Sequence, residues 1–183
     1  MKRLIYILPF LLLLTGFKPS SDGYIIHARD INPHCDKDTI IGRVLYLPKE
    51  TERYYKCCIS EDECMYKPKM SEVVLVEQLL RENEDTIRSK NPYLKTNDEW
   101  LLAWYFRQYL FTKFPDGHCE VVIQLLLVEE DSCRPPFDDF CWSRENMSKW
   151  KWAVILDGAD SVVTIRIDLT NRRILSVGFN GCA

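Results

Sequence analysis

The sequence predicts an α+β fold: an antiparallel curved sheet packed on one long helix, with a short-stranded, cysteine-rich N-terminal part. Three observations carry this expectation. The C-terminal third alternates apolar and polar residues with period two between turn signals. A continuous apolar stretch, Glu120 to Val128 (EVVIQLLLV), has the length of a strand covered on both sides. A capping-box pattern, Thr96-Asn97-Asp98-Glu99, opens an apolar segment that ends at Phe114-Pro115-Asp116-Gly117.

In chain order, Gly23 to Arg29, Ile40 to Leu47 and Arg53 to Ile59 read as short strands joined by Asn, Pro and Asp turns. Ser71 to Asn83 (SEVVLVEQLLREN) reads as a helix, although Val73, Val74 and Val76 also suit a strand. The long helix is expected over 97–113, through Trp100, Leu101, Trp104, Tyr105, Leu110 and Phe111. It is apolar nearly all round but interrupted by Arg107 and Gln108 and only about 16 residues long, so it reads as a buried packing helix, not a membrane span. Glu120 to Val128 is the expected core strand. Lys149 to Leu156, the turn at Gly158-Ala159 and Ser161 to Asp168 form an expected hairpin, with Val154 opposite Val163, Trp152 opposite Ile165 and Trp150 opposite Ile167. A last strand, Arg173 to Asn180, follows a loop Leu169-Thr170-Asn171 in which Asn171 is expected to be left-handed.

At the N-terminus, Lys2 and Arg3 precede an apolar run from Leu4 to Leu14 and the small residues Thr15 and Gly16. A membrane span needs about 20 apolar residues, so the pattern reads as an export signal over 1–21. The rest, 22–183, is expected to be a single α+β domain: a cysteine-rich strand region over 22–70, then a helix plus four-stranded meander over 71–183. About 160 residues suit one core. No cysteine directly follows the apolar run, so lipid anchoring has no attachment residue and a soluble secreted or periplasmic product is expected. With 46% hydrophobic and 28% charged residues the composition is that of a globular protein. The formal charge of -3, with Lys and Arg spread among the acids, argues against nucleic acid and anionic membranes as partners.

The order helix 97–113, then antiparallel meander, resembles the cystatin-like superfamily over about Thr96 to Phe179. The resemblance implies a curved sheet wrapped on one helix. Inhibition of cysteine proteases is not implied, because the inhibitory Q-x-V-x-G hairpin is replaced by Gln124-Leu125-Leu126-Leu127. Cone-shaped sheets of the nuclear-transport-factor type follow the same helix-plus-sheet logic, and fold alone says little about function.

Eight cysteines follow the export signal: Cys35, Cys57, Cys58, Cys64, Cys119, Cys133, Cys141 and Cys182. In an oxidising compartment they are candidate disulfide cysteines, each bridge contributing about 2 to 4 kcal/mol, with buried free thiols as the alternative. Cys133 with Cys141 suits a clip across the Pro-rich loop, Cys182 returns towards Cys119, and Cys57 or Cys58 reaches Cys64 across a turn. Two His-Cys pairs, His34-Cys35 and His118-Cys119, have the ligand types of a zinc tetrahedron but not the usual local spacing. Cys119 is the best-placed thiol for a nucleophile, with His27, His34 and His118 as the available bases, yet no nucleophile elbow surrounds it.

Glu129-Glu130-Asp131 and Asp138-Asp139 flank one loop without matching a calcium loop, and read as a solvated charge run before an acid-base cluster. Lys149-Trp150-Lys151-Trp152 suits a sugar platform, but its register favours core packing. Asn146-Met147-Ser148 is a glycosylation acceptor triplet. No residue is assigned as catalytic or metal-binding, and no cofactor is expected. These readings lead to an exported, non-catalytic binding protein whose partner is another protein or a cell-envelope component. The cysteine-rich strands and the 133–141 loop are its expected contact regions. The alternatives are an extracytoplasmic hydrolase using the acidic cluster and a structural envelope protein.

Overall fold

The computed structural model describes residues 23–35, 39–46, 63–90, 105–128, 143–149 and 159–180. The elements are β1 Gly23–His27, α1 Ala28–Ile31, β2 Ile40–Leu45, β3 Cys64–Met65, α2 Met70–Glu82, α3 Glu84–Lys90, β4 Tyr105–Lys113, β5 Cys119–Leu127, α4 Arg144–Met147, β6 Ala159–Asp168 and β7 Arg173–Asn180. The strands form one sheet in the order β1-β2-β4-β5-β6-β7, with β3 beside β4. All pairings are antiparallel except β2 with β4. The α+β class and the mainly antiparallel sheet agree with the sequence. No described helix is long and apolar enough to cross a membrane.

The expected helix over 97–113 is corrected in its second half, where Tyr105–Lys113 is a strand, β4, hydrogen-bonded to β2, β3 and β5. The first half lies outside the described residues. Tyr, Phe and Thr crowd this segment and favour a pleated surface. Both faces of β4 are buried from Tyr105 to Thr112, which removes the period-two alternation that would have marked a strand. The punctuation at Pro115-Asp116-Gly117 is real but ends a strand. Phe114 N donates to His118 O at 2.8 Å, Gly117 N to Phe114 O at 3.0 Å, and Gly117 takes φ 91°. The helix that packs on the meander is α2, close to the expected 71–83.

β5 sits between β4 and β6, as its doubly apolar sequence requires. The expected hairpin of 149–156 with 161–168 is also corrected. β6 pairs with β5 along one edge (Val163 with Leu125, Ile165 with Ile123, Ile167 with Val121) and with β7 along the other. Both edges are therefore filled where Trp152 and Trp150 were expected opposite Ile165 and Ile167. Pairing with β5 instead lines all three aliphatic residues of β6 with the apolar side chains that face α2. Residues 150–158, including Trp150 and Trp152, lie outside the described residues. The strand expected over 53–59 does too.

In the β6–β7 turn the left-handed residue is Arg172, φ 53°, not Asn171. The Asp168 carboxylate accepts from the Asn171 backbone N and Nδ2, both at 2.8 Å, which fixes Asn171 and passes the reversal to the next residue. The register shifts between Arg166–Ser176 and Ile167–Ile174, leaving Leu175 unpaired and exposed.

The main core lies between α2 and one sheet face. Val73, Val76, Leu79 and Leu80 recur at helical spacing and meet Tyr105, Tyr109, Phe111, Val121, Ile123, Leu125, Val163, Ile165 and Ile167. Each such aliphatic side chain stabilises by about 1.5 to 3 kcal/mol through burial. The opposite face carries a smaller cluster of Phe106, Leu126, Val162 and Met147 from α4. Glu72 starts α2 by accepting from Lys69 N at 2.8 Å, and Asn83 ends it through Nδ2 on Leu79 O at 2.8 Å.

Gly42 on β2 sits over β4 so closely that a Cβ would stand 2.6 Å from Arg107 O and 2.9 Å from Tyr109 Cε2. Gly42→Ala is expected to lower stability by about 1 to 3 kcal/mol by forcing β2 off β4. Urea unfolding followed by tryptophan fluorescence checks this.

Candidate functional site

The apolar stripe of α2 contains one acid. Glu77 stands one residue beyond Val76 and four beyond Val73, so the helix turns it towards the sheet with the aliphatic residues. Beneath it, alternation along β4 presents Arg107 and Tyr109 on the same face. Glu77 and Arg107 are each 1% exposed. Tyr109 OH donates to Glu77 Oε1 at 2.7 Å, Arg107 Nε lies 3.2 Å from the same oxygen, and Arg107 Nη1 donates to Tyr105 O at 2.7 Å. Glu77 Oε2 is buried without a hydrogen-bond partner. Burial first, then the Glu77 charge, push the Tyr109 phenol well above its ordinary range, so Tyr109 is a fixed donor.

Glu77 is also part of the wall of a groove of about 340 Å³ on the flank of α2. Val74, Gln78 and Arg81 continue that wall at helical spacing, and Ile31 and Asn32 at the end of α1 close the other side. This second wall is held by short-range bonds. His27 N donates to Asp30 Oδ2 at 2.7 Å, Asn32 N to Ala28 O at 2.9 Å, and His34 N to Asn32 Oδ1 at 3.1 Å. Gln78 Nε2 donates to Glu82 Oε1 at 2.6 Å. The groove thus combines two apolar side chains, two amides and a guanidinium, with the Glu77 carboxylate buried in the helix–sheet contact beneath its wall.

A second polar cluster occupies the opposite sheet face, where Thr112, Glu120 and Asp168 are cross-strand neighbours. Arg166 donates from Nε to Glu120 and from Nη2 to Glu63. His118 Nε2 lies 3.1 Å from Glu120 Oε1 and 3.6 Å from Asp168 Oδ1. Burial opposes the Arg166 charge, but the bonds and charges of Glu120 and Glu63 outweigh it and raise its pKa. Burial likewise raises Asp168, and the Asn171 donors, Arg173 and His118 outweigh it, leaving the carboxyl below its usual range. This cluster pins β3, β5 and β6 together.

Of the cysteines, Cys35, Cys64 and Cys119 are described, and Cys64 and Cys119 are thiols. They flank Lys113 in one cross-strand row, Cys64 on β3 and Cys119 on β5. Two strand spacings separate them by about 9 to 10 Å, beyond disulfide reach. Cys119 Sγ donates to Gly117 O at 3.5 Å. It also adjoins Tyr66, whose phenol is raised by burial and then by its bond to Glu72. His34-Cys35 and His118-Cys119 do not assemble: among the described residues no group of three or more His, Cys, Asp or Glu is placed to hold a metal. Cys57, Cys58, Cys133, Cys141 and Cys182 lie outside the described residues, as do the acids from Glu129 to Asp139. In the acceptor triplet, Met147 and Ser148 are buried, and Ser148 Oγ donates to Glu145 O at 2.6 Å.

Sequence reasoning missed Glu77, Arg107 and the groove. The available signal was a pair of opposite charges, each inside an otherwise apolar run, which burial would force together. Compared with family models, curated proteins and solved structures, the chain matches none.

Asp168 has a depressed folded pKa, so the stability it contributes is present above the unfolded carboxylate value of about 3.9 and is lost as pH falls through its lower folded value. Asp168→Asn is therefore expected to be less stable than the wild type at pH 7. The gap should narrow as pH falls below about 4, read from urea midpoints across pH.

Proposed function

We propose that this chain is an exported, non-catalytic binding protein that engages part of a protein or cell-envelope component in the groove beside α2. The observation that carries this reading is the groove of about 340 Å³ itself, whose α2 wall is anchored to the sheet by the buried contact of Glu77 with Tyr109 and Arg107. A wall anchored to the sheet by a buried ion pair keeps a constant shape, which suits recognition by a pre-organised surface. The second cluster supports the same reading. Glu63, Glu120 and Asp168 are each bonded to an arginine, so their carboxylates are committed to joining strands. Export rests on the basic and apolar run of residues 2–14.

Val74→Trp is expected to fill the groove from its half-buried wall while leaving Glu77, Arg107 and Tyr109 in place. Retention of solubilised envelope material on the immobilised variant should fall at least about tenfold relative to wild type. Equal retention contradicts the groove as the contact site. Turnover of peptide, ester or glycoside substrates by the wild type would favour the hydrolase reading instead.

A further inference from the structure

Resting on that reading of the groove, we propose that its occupant is an extended, uncharged peptide segment of a protein partner, with one backbone amide bonded between Asn32 and Gln78 and an aliphatic side chain set against Ile31 and Val74. Three features of the groove specify this class.

The first is open hydrogen-bonding capacity on both walls. Asn32 and Gln78 are exposed, and each commits only one end of its amide to the fold: Asn32 Oδ1 accepts from His34 N, and Gln78 Nε2 donates to Glu82 Oε1. Among the described residues, Asn32 Nδ2 and Gln78 Oε1 make no hydrogen bond, which leaves a donor on the α1 wall and an acceptor on the α2 wall. A peptide unit is the complement, because its C=O accepts from Asn32 and its N–H donates to Gln78. In a trans peptide the two groups point in opposite directions, one towards each wall. A helical segment does not qualify, since its backbone groups are already paired within the helix, whereas an extended one keeps them open.

The second is charge. Glu77 is closed into its contact with Arg107 beneath the wall, and Arg81 has a partner of its own. Neither charge is left to hold an ion, so desolvating a charged ligand in the groove would go uncompensated. A backbone amide carries no net charge, and both of its polar groups find partners.

The third is size and polarity. About 340 Å³ is at the lower end for small-molecule sites, so the groove takes a few residues of a chain and not a folded element. Ile31 and Val74, both half-buried, offer apolar surface to one side chain, with preference for an aliphatic one. No aromatic ring stands among the described lining residues, so a sugar ring has no stacking face there. Main-chain bonds then supply affinity, and the apolar contact supplies the side-chain preference.

The test is a ¹H–¹⁵N NMR titration of the full chain with acetyl-Ala-Leu-Ala-amide. Three comparison probes run beside it: the same peptide methylated at every backbone nitrogen, acetyl-Ala-Gly-Ala-amide, and N-acetylglucosamine. Saturable shifts at Asn32, Val74 and Gln78 are expected with the leucine peptide at up to millimolar concentration, and binding at least about threefold weaker with each comparison probe. Asn32→Asp keeps the acceptor for His34 N but removes the donor, and Gln78→Leu removes the acceptor at an exposed helix position. Each should weaken the leucine peptide by about three- to tenfold, while Gln78→Glu, which keeps an acceptor, should retain it. Equal binding of any comparison probe, undiminished Asn32→Asp and Gln78→Leu complexes, or equal losses in Gln78→Glu and Gln78→Leu overturn the peptide assignment. Shifts at the groove with solubilised envelope material but not with the leucine peptide also overturn it while keeping the groove as the binding site. Silence of the groove towards both overturns this assignment and the groove reading together.

Discussion

The contact of Glu77 with Arg107 and Tyr109 is the constraint on which the rest of the arrangement depends. It is the polar junction between α2 and β4, and β4 is the strand with the most neighbours, touching β2, β3 and β5. A helix held on a sheet by aliphatic packing alone can slide by a turn at modest cost, because hydrophobic attraction has no direction. One buried charge pair removes that freedom, since a displaced α2 would leave both Glu77 and Arg107 uncompensated in a dry interior. The groove inherits this fixity. Its α2 wall cannot shift without breaking the junction, and its other wall is tied by the turn bonds of Asp30 and Asn32.

The second polar cluster does the equivalent work on the opposite face. Arg166 links Glu63, just before β3, to Glu120 on β5, and Asp168 holds the β6–β7 turn through Asn171. These residues are distant in sequence and close at one end of the sheet, so they fix strand order where apolar contacts alone would tolerate exchange. Both faces of the central strands are therefore buried, each with its own charged anchor. The same burial explains why β4 and β5 carry so many apolar residues in a chain of ordinary composition.

The sequence was readable where a segment met one clear environment. Glu120 to Val128 reads as a central strand because, Glu120 and Gln124 aside, every residue in it is apolar, and α2 is visible from the spacing of Val73, Val76 and Leu80. The last strand was found for the same reason, though its turn was misplaced by one residue because the Asp168 side chain decides the reversal. The segment before Phe114 failed because burial on both faces erased its period, so the upstream capping pattern decided the reading. The 149–156 hairpin failed because a local turn signal competed with the longer-range pairing of β5 with β6, which only the folded sheet reveals. The groove was illegible for a similar reason: Ile31 and Glu77 come together through tertiary packing, and no spacing rule connects them.

The central claim is that Glu77 and Arg107 act as one unit fixing α2 to β4. A double-mutant cycle with Glu77→Gln and Arg107→Met, read by urea unfolding, tests it most directly. Each single variant is expected to lose about 3 to 5 kcal/mol, and the double variant clearly less than their sum, with a coupling of about 2 kcal/mol or more. Additive losses, with coupling below about 0.5 kcal/mol, would show that the two side chains are independent and contradict the account.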